Sequence, residues 1–361
     1  MGGSQDQFDR LRLIRSPNIG PVSYRQLIAR FGNAKAALEA LPDLVMRGGG
    51  KRVEVVSAGS IEQEMQAVAA CGAQYLFLDN AEYPELLTHI DNAPPVITFK
   101  GDVALLDRPS IAMVGARNAS AGACRFARQL AYELGDNGFA VISGLARGID
   151  TAVHVGSMDS GTVAVIAGGI DVAYPPENRD LQNAIAERGL LIAEQPPGTE
   201  PRARHFPYRN RIIAGLAMGT VVVEAAPKSG SLITARLAAE AGREVMAVPG
   251  SPLDPRSHGC NQLIREGATL VQNAAEIAEL IRPLDDRIVR STIIAASPAL
   301  DDGGESDRRA VINLMGMTYV SVDELVRQSG SSQSVVQMVL LEIELAGKLE
   351  RGAGGKVRLA A

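Results

Sequence analysis

Ile111-Ala-Met-Val-Gly115-Ala-Arg117-Asn-Ala-Ser120 is a short apolar run that stops at a glycine and hands over to a serine that can start a helix. A run this short and continuously apolar suits a strand buried on both faces of a parallel sheet, and a serine before a helical stretch suits an N-cap. The same pattern recurs at Tyr75–Leu78, Val96–Lys100, Ala140–Ser143, Val163–Ala167, Leu191–Glu194, Thr220–Glu224, Glu244–Val248 and Thr269–Val271. Helical stretches such as Ala123–Leu134 and Leu232–Ala241 lie between them and supply crossovers. Residues 72–282 therefore read as an extended Rossmann-like, doubly wound α/β domain.

Both flanks read as helical. In residues 8–70, Leu11 and Ile14 precede the break Ser16-Pro-Asn-Ile-Gly-Pro21. Ser23 with Gln26 then forms a capping box ahead of Leu27, Ile28 and Phe31, and Asn33 caps a further helix after Gly32. Two short helices around an Ile-Gly-Pro turn resemble a helix-hairpin-helix or sterile-alpha-motif (SAM) bundle. Such a bundle can offer N–H groups to a DNA phosphate or serve as a plain accessory. Residues 283–305, with Ser297-Pro298 and the acidic Asp301-Asp-Gly-Gly-Glu305, read as a mobile linker. Residues 306–361 give helices over Arg309–Leu314, from Ser321 and Glu324 onward, and over Gln333–Ala346. A hairpin of Lys348–Arg351 and Lys356–Leu359 follows, which is the order of a winged helix.

The chain has 361 residues, 46% hydrophobic and 21% charged, a globular balance that excludes a disordered tail protein. Cys71, Cys124 and Cys260 form no C-x-x-C pair, and the N-terminus shows no charged-then-apolar leader. The most apolar window, Ile212–Val223, is too short to span a bilayer. A reduced, cytoplasmic protein with no membrane association is expected.

Net charge is −5, which by itself argues against a nucleic-acid partner. The sum hides a partition. Residues 201–243 carry seven Arg and Lys against two Glu, a local +5 that leaves −10 for the rest. Its densest part is Pro201-Arg-Ala-Arg-His-Phe-Pro-Tyr-Arg-Asn-Arg211, where Arg202, Arg204, Arg209 and Arg211 alternate with Phe206, Tyr208 and Asn210. Guanidiniums interleaved with rings suit single-stranded nucleic acid, whose backbone needs cations and whose bases stack.

Three strand ends carry glycine turns that can hold an anion on backbone amides: Gly115 with Arg117 and Ser120, Gly144 with Arg147 and Gly148, and Gly168-Gly169. A fourth turn, Lys228-Ser229-Gly230, opens a helix just after Glu224. Other chemistries lack their parts. His89, His154, His205 and His258 have no ligand spacing, so no metal site is expected, and neither a Walker sequence nor a G-x-S-x-G elbow occurs. Glu224 leaves one enzymatic alternative, a Rossmann-like nucleotide phosphoribohydrolase, although the Pro-Gly-Gly-x-Gly-Thr-x-x-Glu block of such enzymes is missing.

The blocks Val114-Gly-Ala-Arg117, Ser143-Gly-Leu-Ala-Arg-Gly-Ile-Asp150, Phe206-Pro-Tyr-Arg-Asn-Arg-Ile-Ile-Ala-Gly-Leu216, Ser229-Gly-Ser-Leu-Ile-Thr-Ala235, Val248-Pro-Gly250 and Gly259-Cys-Asn-Gln-Leu-Ile264 resemble those of the bacterial DNA-processing protein A (DprA/Smf) family. The resemblance implies a non-catalytic, cofactor-free homodimer. Such a protein holds single-stranded DNA in natural transformation and loads the RecA recombinase onto it. It places Gly115, Arg117 and Gly144–Gly148 at a DNA phosphate and Phe206, Arg209 and Arg211 in the groove. Ala116 replaces the family's usual serine, which removes one phosphate hydrogen bond. The winged helix departs from a DNA reader: Ser332–Ala346 has no Lys or Arg and two glutamates, and residues 306–361 sum to +1. A groove-reading helix needs cations, so a protein-interaction or self-association module is expected there rather than a DNA reader.

Overall fold

The computed structural model describes residues 2–51, 55–288, 301–352 and 354–360. The chain divides into two compact units, Glu64–Thr292 and a unit built from both chain ends, Met1–Gln63 with Ile293–Ala361.

The first of these holds a nine-stranded sheet of β1 (Gln74–Phe77), β2 (Val96–Gly101), β3 (Ser110–Val114), β4 (Ala140–Ser143), β5 (Thr162–Gly169), β6 (Leu190–Gln195), β7 (Gly219–Val222), β8 (Glu244–Ala247) and β9 (Thr269–Leu270). Their order is β1-β2-β6-β5-β4-β3-β7-β8-β9. β2 runs antiparallel to β1 and β6, and all other pairs are parallel. The chain works outward from β3 through β4, β5 and β6, then returns to the other side of β3 with β7, so the topological switch lies between β3 and β7.

Alternate residues of the central strands β3, β4, β5 and β7 face opposite cores, which is why these strands read as unbroken apolar runs. Ala112, Val114, Ile142, Val165 and Val222 pack under Ile212, Ile213 and Leu216 of the helix His205–Leu216. Ile111, Met113, Val141 and Val221 pack under Leu130 and Leu134 of the helix Ala121–Asp136 and under Ile149 and Val153 of the helix Ile149–Ser157.

In the second unit, the helices Gly2–Ile14, Pro21–Phe31 and Ala34–Arg47 pack through Leu13, Leu27, Leu41 and Leu44. The Ser23–Gln26 capping box is not formed. The second helix begins three residues earlier than a Ser23 cap would place it, at Pro21, where proline's missing N–H costs nothing. Ser23 is thus already inside the helix, with its Oγ accepting from the Gly20 N–H (2.9 Å). Asn33 does cap its helix, accepting from the Ala36 N–H at 2.9 Å. The winged helix has helices Glu305–Asn313, Val322–Ser329 and Gln333–Leu345, and strands β10 (Val320–Ser321), β11 (Leu349–Gly352) and β12 (Lys356–Leu359) in the order β10-β12-β11.

The expected linker needs correction at both ends. Residues 283–288 continue the helix Ala274–Ile288, and 289–300, with Ser297-Pro298, lie outside the described residues. The acidic stretch is anchored: Asp302 pairs with Arg30 (2.9 Å) and Arg47 (3.2 Å), and Asp301 accepts from Ser334 Oγ at 3.0 Å. The acidic side chains stay exposed, and it is these pairs, with Gly303 buried against Val335, that fix the run in place.

Candidate nucleic-acid interface

Strand ends build the site, because a parallel sheet directs all its carboxyl ends to one side. After β3 the chain turns through Gly115-Ala116-Arg117. The Ala116 N–H donates to the Glu224 carbonyl (2.7 Å), and its own carbonyl accepts from the Ile149 N–H (3.2 Å). A Cβ on Gly115 would come within 2.5 Å of Ile149, so the β3 turn rests directly on the helix that follows β4. Gly148 sits at φ +76° with its Cα against the Ala116 carbonyl, where no other residue fits.

The β4 turn, Gly144–Gly148, carries a non-glycine residue at positive φ, Leu145 (+55°). Its strain is held from below. The Leu145 N–H donates to His154 Nε2 (3.3 Å), whose Nδ1 meets Thr162 Oγ1 at 2.7 Å, and Asn178 Nδ2 donates to the Leu145 carbonyl (2.9 Å). Nε2 must accept here, so Nδ1 carries the proton. Burial, then Arg209, pushes His154 down to about 3 and keeps it neutral.

Arg209 reaches back from the helix His205–Leu216 and donates through Nη1 to the carbonyls of Gly144 and Val165, tying β4 to β5. Burial brings its guanidinium down to about 10 against the opposing pull of Asp150. The Asp150 carboxyl is itself raised by burial, against the pull of Arg209.

A pocket of about 430 Å³ opens over these three strand ends, lined by Arg117, Asn118, Gly144, Ala146, Arg147, Ile166, Ala167, Gly168, Val172, Tyr174, Pro175, Phe206 and Arg209. No carboxylate is among them. The Arg117 guanidinium lies 4.8 Å from the Phe206 ring centroid, and Tyr174 stands beside Phe206 at 5.6 Å and 55°. One wall is therefore a cation over one ring, with a second ring tilted beside it. Arg147 is exposed at the rim, paired with Glu177 at 3.1 Å.

Residues singled out in the sequence separate into three places. Arg117, Gly144, Arg147, Gly168, Phe206 and Arg209 line the pocket, while Gly115, Gly148 and Gly169 shape its turns from outside. Arg202 and Arg204 are exposed at the start of the same helix as Phe206. Lys228, Ser229 and Gly230 form a separate turn in which Ser229 caps the helix Gly230–Glu240, and Asn210 faces that turn, 3.5 Å from the Gly230 carbonyl.

Three assignments change. Arg211 does not reach the groove: its side chain is 4% exposed and paired with Glu194. Ser120 is turned away from the pocket, giving its N–H (2.9 Å) and Oγ (2.7 Å) to the Glu224 carboxylate. Glu224 thereby fills the helix N-terminus at the switch point that an anion would take, and it does not line the pocket. The carboxylate needed by the phosphoribohydrolase alternative is thus committed to capping. Sequence reasoning missed Tyr174, Asn118 and the buried pair His154 and Asn178. Tyr174-Pro175-Pro176, a ring in a proline turn just past β5, was the available signal.

Among the described residues no group of His, Cys, Asp and Glu could hold a metal, and no helix is long and apolar enough to cross a membrane. Residues 74–282 match the family model of DNA recombination-mediator protein A. The chain belongs to this DprA/Smf family. Residues 4–67 match its DprA-like N-terminal HHH domain and 295–355 its DprA winged helix domain.

DNA processing protein DprA of Streptococcus pneumoniae is 45% identical over 197 residues, 54% of this chain and 70% of that one. Its solved structure superposes with TM-score 0.60 at 36% identity, covering 69% and 83% of the two chains. Protein Smf of Synechocystis is 34% identical over 80% of this chain and 72% of its own. The Helicobacter pylori DNA processing protein A, solved for its single-stranded DNA binding mode, matches with TM-score 0.53 at 29% identity, over 59% of this chain and 97% of that one. Within the DprA frame, the Ala116 departure leaves the β3 turn standing, because both its hydrogen bonds are made by backbone.

Proposed function

We propose that this DprA family member is a non-catalytic single-stranded DNA binder whose grip is the pocket over β3, β4 and β5. One observation carries the reading: Arg117 and Arg147 converge with Phe206 and Tyr174 at the carboxyl ends of a parallel sheet, over a turn braced by Arg209, in a pocket with no carboxylate among its lining residues. Arginines supply backbone neutralisation, and the rings supply a stacking surface indifferent to base identity. The single-stranded DNA binding mode of the Helicobacter pylori relative supports it. Membership of a recombination-mediator family supports the finer assignment, a cytoplasmic homodimer that loads RecA recombinase in natural transformation.

Oligonucleotide binding measured by fluorescence anisotropy tests the pocket. Phe206→Ala removes the ring between Arg117 and Tyr174 and should weaken oligo-dT binding by about 1–3 kcal/mol, the worth of one stacked base. Arg117→Ala should weaken all sequences alike and flatten the logarithmic salt dependence by about 0.7, one phosphate contact on a single strand. Parental affinity in both variants would remove the pocket from the interface.

A further inference from the structure

The helix Gln333–Leu345 carries two apolar stripes. Val336, Val339, Leu340 and Ile343 face the winged helix's own core, which is all that a third helix of this fold needs. Met338, Leu341 and Leu345 form a second stripe, inserted among Leu13, Leu27, Leu41 and Leu44 of the N-terminal bundle. The backbones meet without side chains between them. A Cβ on Gly48 would overlap the Glu342 carbonyl oxygen, and one on Gly50 would lie 3.0 Å from the Ala346 Cα.

Polar groups register the same contact. Asn18 Nδ2 donates to the Leu345 carbonyl (3.0 Å), Gln26 Nε2 to Gln337 Oε1 (3.0 Å), and Lys348 Nζ to the Gly49 carbonyl (2.6 Å). Glu342, wholly buried, takes a two-pronged bond from Arg308 (2.6 and 2.9 Å) with Arg47 at 4.0 Å. A buried carboxylate is tolerable only when paired in this way, and here its cations come from both segments.

A winged helix that reads duplex DNA lays the outward face of its third helix in the major groove, with cations toward phosphates. In this chain that face is apolar and already occupied. We infer that the N-terminal bundle is the built-in partner of the winged helix, docked on the helix face used for duplex reading. The two chain ends are then one module, closed to duplex DNA at that helix. Cation-free residues 332–346 follow from this, since a lysine on the second stripe would be buried among leucines.

Gly48→Ala isolates the contact. Gly48 has φ −72° and ψ 1°, ordinary for alanine, so the backbone tolerates the change, and what a Cβ there would meet, the Glu342 carbonyl and the Ala346 Cβ, belongs to the C-terminal segment. Hydrogen exchange of the full chain, read by mass spectrometry, should accelerate about tenfold or more in 34–47 and 333–345 together and stay unchanged in 110–143. Leu341→Asp should produce the same paired response. In the parent chain, saturating duplex oligonucleotide should leave exchange of 333–345 unchanged. Acceleration in only one of the two segments, no acceleration in either, or protection of 333–345 by duplex in the parent would each overturn the inference.

Discussion

Arg211 and His154 show how a residue's neighbours decide its role. Arg211 sits in the same basic run as Arg209, yet a helix turns successive residues to different sides, and this one ends beside Glu194, near the carboxyl end of β6. Arg211→Ala strands a partly buried carboxylate, so the expected loss is stability, on the order of 3 kcal/mol. Guanidinium unfolding should show it, while the salt slope of DNA binding measured well below the melting temperature stays parental. A flattened slope with intact stability would put Arg211 back in the groove.

His154 predicts a pH response. Its folded value, about 3, lies below its ordinary 6.5, so as pH falls the unfolded chain takes up the proton first. Stability is lost from about pH 6.5 downward, by about 1.4 kcal/mol per unit at most from this group. His154→Gln should therefore have the shallower dependence between pH 7.5 and 5, whatever its absolute stability. Equal slopes would mean that His154 titrates normally. The sequence shows a histidine eight residues before Thr162 and nothing of this, because burial is a property of the packed turn.

At the level of elements, the strands were legible, since two-sided burial leaves an unbroken apolar signature that no neighbouring element can mask. The turns were legible as glycines but not as a mechanism. Gly115 and Gly148 are small because the β3 and β4 turns touch each other, a fact about two segments more than thirty residues apart in sequence. Gly148→Ala should cost about 1–3 kcal/mol from its positive φ alone, and more from overlap with the Ala116 carbonyl. Because that carbonyl belongs to the turn bearing Arg117, the variant should also lose oligonucleotide affinity at temperatures where it remains folded. Lost stability with unchanged affinity would separate the turns from the pocket. The third helix of the winged helix was readable only negatively, as one without cations. Its second stripe has no meaning until the N-terminal bundle is placed on it.

At the scale of the whole molecule, the charge partition makes a numerical demand. The chain is −5 overall, with +5 in residues 201–243. Part of that segment is spent internally, since Arg211 is paired in the interior and Arg209 holds two backbone carbonyls. The exposed arginines at the pocket end are Arg117, Arg147, Arg202 and Arg204. Four contacts on a single strand give a logarithmic salt slope of about −3 per chain, since each neutralised phosphate contributes roughly 0.7. The remainder of the chain is net acidic, so in the one-groove reading lengthening the oligonucleotide beyond the pocket should leave the slope per bound chain unchanged. Titrations of short and long oligo-dT across a salt series give both numbers. A slope that steepens with length would show a basic track outside the pocket and end the one-groove reading.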